Sequence, residues 1–298
     1  MPLLKLQDPV SRKKSLSYQL SCAAWSDSPY TFFRNSVPFS YYTGLSYATK
    51  LVNIYIQLCK STPKEQYFVY ELGAGTGLLS KHFLDVLAIQ DLEIYTKTML
   101  ILSDSWEKSK VYLPLNSVFS KHLDHIEFET MNCLNPQFKY SPFFIFFSNL
   151  IDSTPADHIY IESGVPYALH VETHLVDTAY ILDTFQKKPH RYSAKEIQNI
   201  LENNAWISSE ALNYLFRTQL ASQLSESYHR VPLHESEFTK REQTFITNLI
   251  SKYALNPTGY FNIHLDMIHA FNMYYERLND GGAIIFSDFG FFNQTLPK

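Results

Sequence analysis

The chain has three cysteines, Cys22, Cys59 and Cys133, too few and too scattered for a disulfide framework or a zinc cluster, so a reducing compartment is the default expectation. It has no apolar run of about 18 residues, and no helix is expected to span a membrane. It has no excess of positive charge. Lys+Arg total 25 against Asp+Glu 29, a net charge of -4, and no basic stripe points to a nucleic-acid partner. Neither a Gly-x-Ser-x-Gly elbow nor a Walker lysine occurs, which removes hydrolase and NTPase readings built on those motifs. His122 and His125 are three apart, yet no cysteine or carboxylate stands at ligand spacing from them, and no metal site is expected. His170 and His174 alternate along an expected strand and read as packed or solvent-facing.

What is present is a chain able to fold. Charged residues are 18% and hydrophobic ones 45%, so disorder is not expected, and 298 residues suffice for one large α/β domain with or without an insertion. The 22 Phe and 21 Tyr suit aromatic-lined pockets or plain core filling.

The stretch from Phe68 to Leu79 organises the rest. Phe68-Val69-Tyr70 reads as a buried strand, Gly73-Ala74-Gly75-Thr76-Gly77 as a turn, and Leu78 onward as an amphipathic helix. Alternate glycines let a backbone pass through conformations that a side chain would block and let it approach a ligand closely. The helix that follows then offers free N–H groups to a carboxylate. The spacing Glu-x-Gly-x-Gly-x-Gly, with Glu71 at the strand end, differs from the dinucleotide pattern G-x-G-x-x-G. It resembles the first motif of class I S-adenosylmethionine (AdoMet) methyltransferases, which implies that the turn holds the methionine part of the cofactor and that Glu71 faces its ammonium.

Around this turn the chain reads as follows. Met1 to Asp27 looks like a leader or docking segment, without the Arg-rich amphipathic pattern of a transit peptide. An aromatic stretch from Phe32 to Gly44 precedes a helix from about Leu45 to Cys59. Lys97 to Leu102 is a second strand; Asp104 after it is placed to bind ribose hydroxyls or to serve as a surface or N-cap aspartate. Trp106 to Leu115 reads as a helix and Ile126 to Met131 as a third strand. Asn132 after that strand suits an adenine edge or a turn. Phe143 to Phe147 is an unbroken apolar run, the mark of a central parallel strand covered on both faces. Asp157 to Ile161 and Pro166 to Val176 form an expected hairpin, and Asp183 to Tyr253 a mainly helical, polar insertion with a capping box at Ser193–Glu196. Asn262 to Leu278 is an expected helix and Gly282 to Phe286 a fifth strand. The expected domains are residues 1–60, an N-terminal segment and helix; 61–182, an AdoMet-binding core; 183–258, the insertion; and 259–298, the last helix and strand of the core.

Several pieces together resemble the MidA-like family of class I methyltransferases, which includes the mitochondrial protein arginine methyltransferase of respiratory complex I assembly. Tyr42-Thr43 is similar to its Tyr-Thr segment, and Glu71-Leu72-Gly73-x-Gly75-x-Gly77 to its glycine turn. Asp152 and Pro155 match its Asn-Glu-x-x-Asp-Ala-x-Pro, with Ser148-Asn149 in place of Asn-Glu. Asp288-Phe289-Gly290 is similar to its Asp-Tyr-Gly. The family's acid at the second strand end falls on Ser103, one place before Asp104. Its final antiparallel strands have no counterpart after Gly290, so an abridged domain or part of a longer protein is expected.

The resemblance implies a doubly wound, Rossmann-like α/β sheet and an AdoMet-dependent methyltransferase acting on a protein side chain, arginine favoured. A catalytically inactive scaffold is the alternative. It implies cofactor contacts from Thr43, Glu71, Gly73, Ala74, Gly75, Gly77, Asp104, Ser105, Asn132 and Ser148, and catalytic roles for Asp152 and Asp288. A bacterial-type cytoplasmic location is the first expectation and a mitochondrial one the second.

Overall fold

The computed structural model describes residues 3–20, 43–105, 113–114, 117–176, 178–182, 189–193, 195–197, 199, 220, 223–252 and 258–288. In chain order its longer elements are β1 (Leu3–Ser11), α1 (Leu45–Ser61), β2 (Tyr67–Leu72), α2 (Leu78–Gln90), α3 (Leu92–Thr96), β3 (Thr98–Asp104), β4 (Ile126–Thr130), β5 (Phe144–Ser148), β6 (Asp157–Glu162), β7 (Val165–Val176), β8 (Thr178–Leu182), β9 (Pro189–Ser193), β10 (Leu224–Pro232), α4 (Lys240–Lys252), β11 (Gly259–Ile263), α5 (Leu265–Arg277) and β12 (Ala283–Ser287). They fall into two compact units. One comprises Met1–Asp27, Pro155–Leu265 and Phe291–Lys298, the other Ser28–Thr154 and Asp266–Gly290.

The second unit holds a five-stranded sheet in the order β12-β5-β2-β3-β4, every neighbouring pair parallel. Parallel strands need cover on both faces, and the sequence provides it by alternation. Val69, Leu100, Leu102, Phe144 and Phe146 point to one face, where they meet Leu51, Val52 and Tyr55 of α1 and Leu79, Phe83 and Leu87 of α2. Tyr70, Leu72, Ile101, Ile145 and Phe147 point to the other and meet Met267, Ala270 and Tyr274 of α5. The α5 contacts recur at i, i+3 and i+7, and those of α1 at i, i+1 and i+4, so each helix buries one stripe. Helices on both faces of a parallel sheet make this the expected doubly wound Rossmann-like class. The order reverses beside β2: β3 and β4 lie on one side of it, β5 and β12 on the other.

The first unit is antiparallel. β7 pairs with β6 and β1 along one edge and with β10 along the other, and β11 extends β6; β8 and β9 form a separate pair. The β6–β7 hairpin turns through Ser163 and Gly164, at φ 51 and 81. Two consecutive left-handed residues are the chemistry of a tight hairpin turn.

Three expectations are sharpened or changed. Of the two readings of the N-terminal segment, its described residues take the docked form: β1 pairs with β7 from Leu3↔Val176 to Ser11↔His170. Charged Lys5 and Asp8 are exposed, and the register with β7 shifts between Lys5 and Val10, features of an edge strand that its mixed polar sequence does not announce. In the 183–258 insertion, residues 224–232 form a strand, because nine consecutive residues pair with β7 from Leu224↔Leu175 to Pro232↔Tyr167. The expected helix from Asn262 begins at Leu265, since Asn262 and Ile263 pair with His158 and Asp157. The Ser193–Glu196 capping box is present, with Glu196 accepting the Ser193 N–H at 2.7 Å. The aromatic residues 32–42, the helix expected at Trp106 to Leu115 apart from residues 113 and 114, and Phe289 and Gly290 lie outside the described residues.

Phe146 is fully buried and stacks on Phe83 at 5.2 Å. Phe146→Ala is expected to lower stability by about 3–5 kcal/mol, measured from the midpoint of urea unfolding. Phe286→Ala, half-exposed on edge strand β12, should cost less than half as much.

Candidate cofactor site at the carboxyl edge of the parallel sheet

The glycine turn leaves β2 at Leu72 and enters α2 at Leu78. Gly73, Gly75 and Gly77 have φ of 64, 54 and 73, all left-handed. Two of them have crowded surroundings as well. A Cβ on Gly73 would lie 2.7 Å from Leu150 Cδ1, and one on Gly77 would lie 2.5 Å from Phe119 Cζ and 3.0 Å from Leu102 Cδ2. Ala74 N–H donates to Ser103 O at 2.9 Å and Gly77 N–H to Ala74 O at 2.8 Å, which pins the turn to β3. Gly77 caps α2 without a side-chain hydrogen bond. The first amides of α2 therefore have no side-chain acceptor from the cap, the arrangement that suits a ligand carboxylate.

The acids at this edge have the following partners. Glu71 is buried, and its carboxylate accepts the Ser80 hydroxyl of α2. Burial pushes its pKa up to about 8, with the charge of Asp104 acting in the same direction. Ser103, at the resembled family's acid position, is buried and donates through Oγ to Glu71 O at 2.9 Å. Asp104 reaches over the turn and accepts the Gly75 N–H at 3.0 Å. Ser105 is exposed just beyond it. Asn132 stands near the end of β3, where Met131 N–H bonds Asp104 O, but its Oδ1 accepts Leu134 N–H at 2.9 Å, so this oxygen serves a turn.

The ends of β5 and β12 complete the edge. Asn149 N–H donates to Ser287 O at 2.9 Å, and Asn149 itself has φ 53. Asp288 accepts the backbone N–H of Ile151 at 2.6 Å and, more weakly, that of Asp152 at 3.4 Å. It thereby holds the short turn Ile151–Ser153 on which Asp152 is carried. The pKa of Asp152 is raised by burial and then by the charge of Asp288, so the two carboxylates are neighbours. Ser287 Oγ donates to Tyr47 OH at 2.6 Å, which brings the first turn of α1 to this edge, with Thr43 just before it. Ser148 Oγ is buried and has no hydrogen-bond partner among the described residues. A buried hydroxyl left unpaired at a strand end is costly unless a ligand or water meets it.

The edge thus gathers the glycine turn, Asp104, Ser148, Asp152 and Asp288. Sequence reasoning missed Ser80, a polar residue inside the apolar stripe Leu79, Phe83, Leu84 and Leu87. A hydroxyl in that stripe was the available signal, because a buried hydroxyl needs a partner. His122 bridges Tyr95 OH at 2.9 Å and Asp85 Oδ1 at 3.0 Å, and His125 Nδ1 lies 3.2 Å from Thr98 O.

This fold and edge define the class I AdoMet methyltransferase architecture. A family model for S-adenosyl-L-methionine-dependent methyltransferases matches residues 48–297, and the chain belongs to that family, the MidA-like methyltransferases. It is similar to a solved structure from Burkholderia thailandensis, with 13% identity, a TM-score of 0.56, and coverage of 95% of this chain and 57% of that one. A second superfamily member from the same organism, solved with S-adenosyl-homocysteine bound, gives 12% identity, a TM-score of 0.56, and coverage of 95% and 59%. At these identities the likeness is one of fold, and this chain spans under two thirds of the length of either. No curated protein matches the sequence.

AdoMet, the cofactor of this family, fits the residues present: three left-handed glycines, side-chain-uncapped α2 amides and an unpaired Ser148 hydroxyl are what a ligand with a carboxylate and polar groups needs.

Two outcomes follow for the ligand-free chain. Gly77→Ala is expected to lose about 1–3 kcal/mol by denaturant titration, from a left-handed alanine and the clash with Phe119. Glu71 has a folded pKa of about 8 against an ordinary 4.5. Its contribution is fully present below 4.5 and is lost as pH rises through about 8, so stability should fall over that window by at most ~1.4 kcal/mol per pH unit. Glu71→Gln should flatten this slope; an unchanged slope would contradict the burial argument.

Proposed function

We propose that this chain is an AdoMet-dependent methyltransferase whose acceptor is a protein side chain, with arginine favoured by the family resemblance. The observation that carries the cofactor reading is the turn with three left-handed glycines, at the topological switch point of the sheet where open α/β folds bind ligands. In this reading the turn and the first α2 amides hold the methionine part, and Asp104 and Ser148 bind polar groups of the nucleoside. Thr43, Ser105 and Asn132 line the same edge.

When bound, AdoMet supplies a methyl group on a sulfonium, which passes in line to a nucleophile. The protein then needs to align the acceptor and exclude water rather than supply strong acids or bases. Asp152 is the candidate to orient a guanidinium through charge-assisted hydrogen bonds. Asp288, committed to the amides of Ile151 and Asp152, positions the turn that carries it. A second reading, a non-catalytic scaffold, is favoured by Ser148-Asn149 in place of the family's Asn-Glu pair. A cytoplasmic location belongs to the same proposal and agrees with relatives from Burkholderia thailandensis.

Calorimetric titration of the chain with AdoMet and S-adenosylhomocysteine tests the cofactor site. Micromolar binding is expected, and Gly75→Arg should abolish it while the variant still unfolds cooperatively. A folded chain that binds neither molecule would refute the reading. Where binding holds, transfer of labelled methyl groups to arginine-containing protein should fall at least about tenfold in Asp152→Asn. Binding without transfer to any protein would favour the scaffold.

A further inference from the structure

Ser80 is the third residue of α2 and is fully buried in the stripe that α2 turns to the sheet. Alanine would fill that place with a higher helix propensity, so the hydroxyl needs a use. The ordinary use of a helical hydroxyl is to donate to the carbonyl one turn earlier. Thr49 donates to Leu45 O at 2.9 Å, and Ser61, Thr244 and Thr247 donate to Gln57 O, Lys240 O and Gln243 O at 2.8 Å each. Ser80 departs from this pattern: its Oγ crosses from α2 to the sheet and donates to Glu71 Oε2.

Glu71 is thereby held twice. Ser103 Oγ on β3 donates to its backbone carbonyl at 2.9 Å, which fixes the strand end, and Ser80 fixes the carboxylate. Its register partners, Leu102 on β3 and Phe146 on β5, are apolar. A glutamate has several rotatable bonds, and apolar neighbours alone do not select the direction of its oxygens. The Ser80 hydroxyl supplies that direction. It also leaves capacity, because a carboxylate has about four acceptor sites and the hydroxyl takes one of them, on Oε2. The glycine turn begins two residues further on, at Gly73.

We propose that Ser80 is a positioning residue for the cofactor site: its hydroxyl holds the Glu71 carboxylate in the direction in which it receives the ammonium of the cofactor's methionine part. The inference rests on the cofactor reading above and on the implied place of Glu71 at that ammonium. Preorganisation is its physical content. A carboxylate already fixed by a hydrogen bond loses little freedom when the ammonium arrives, so the charge-assisted bond that forms contributes to binding in full. Removing the hydroxyl removes this advantage from the ammonium alone. The carboxylate and the nucleoside of the ligand meet other groups, the α2 amides and the ends of β3 and β5, and keep their contributions.

The test is calorimetric titration of the full chain and its variants with S-adenosylhomocysteine and with its deamino analogue, which keeps the carboxylate and lacks the ammonium. The wild-type chain is expected to prefer S-adenosylhomocysteine. Ser80→Ala should weaken that ligand by about threefold to tenfold and leave the Kd of the analogue unchanged, a split that general loosening of α2 would not produce. Ser80→Cys keeps the shape with a weaker donor; its loss of preference should be smaller, and it serves as the test if Ser80→Ala does not fold. In a Glu71→Gln background Ser80→Ala should cause no further loss of preference, because the two side chains act as a unit. Equal weakening of both ligands by Ser80→Ala, or no change in either, overturns the inference and leaves the cofactor site standing, as does a wild-type chain that binds the two ligands equally. No binding of either ligand by a folded wild-type chain overturns both.

Discussion

A parallel sheet survives only if both its faces are sealed, and this constraint shapes the unit that carries the candidate site. β5 shows it most clearly: Phe144, Ile145, Phe146 and Phe147 are all fully buried, so no residue of the strand except its last can be polar without a partner. Phe144 and Phe146 face α1 and α2, and Phe147 faces α5, where it lies 5.9 Å from Phe271. The polar groups are pushed to the strand ends as a consequence. Ser148, Asp104 and Ser287 are the points at which apolar strands give way to solvent or ligand.

The same sealing explains the tension at the glycine turn. Glu71 is the buried acid among the described strands of this sheet, and its carboxylate accepts a hydroxyl from Ser80. A buried carboxylate treated in this way is a cost to folding, and such groups cluster where a ligand makes use of them. The three left-handed glycines are the backbone counterpart. Both features weaken the isolated protein, and in the proposed reading a bound cofactor is what makes use of them.

Much of this unit was legible in the sequence because its signals are local. The Phe143–Phe147 run, the Glu-x-Gly-x-Gly-x-Gly turn and the apolar stripes of α1 and α2 each follow from residues close together in the chain. The antiparallel unit was less legible, because β1 and β10 owe their conformation to β7, which lies far away in sequence. Their mixed polar and apolar residues show no clear period, so the strand is not legible until the partner is known. At the site, the placement of Asp104 near the turn was readable from strand order, whereas its bond to Gly75 and the attachment of Glu71 to Ser80 depend on side-chain directions that spacing does not determine. Asp288 is the instructive case: its position at a strand end marked it as a candidate, and its bond from Ile151 N–H, which holds the turn that carries Asp152, is a contact that spacing does not reveal.

The most direct measurement is amide hydrogen exchange of the chain with and without saturating S-adenosylhomocysteine, resolved to the segments 71–80, 102–105 and 148–153. The account predicts slowed exchange concentrated in these three segments, which meet at the carboxyl edge of the parallel sheet and nowhere adjoin in sequence. Unchanged exchange in the 71–80 segment of a folded chain, or protection confined to the antiparallel unit, would contradict it.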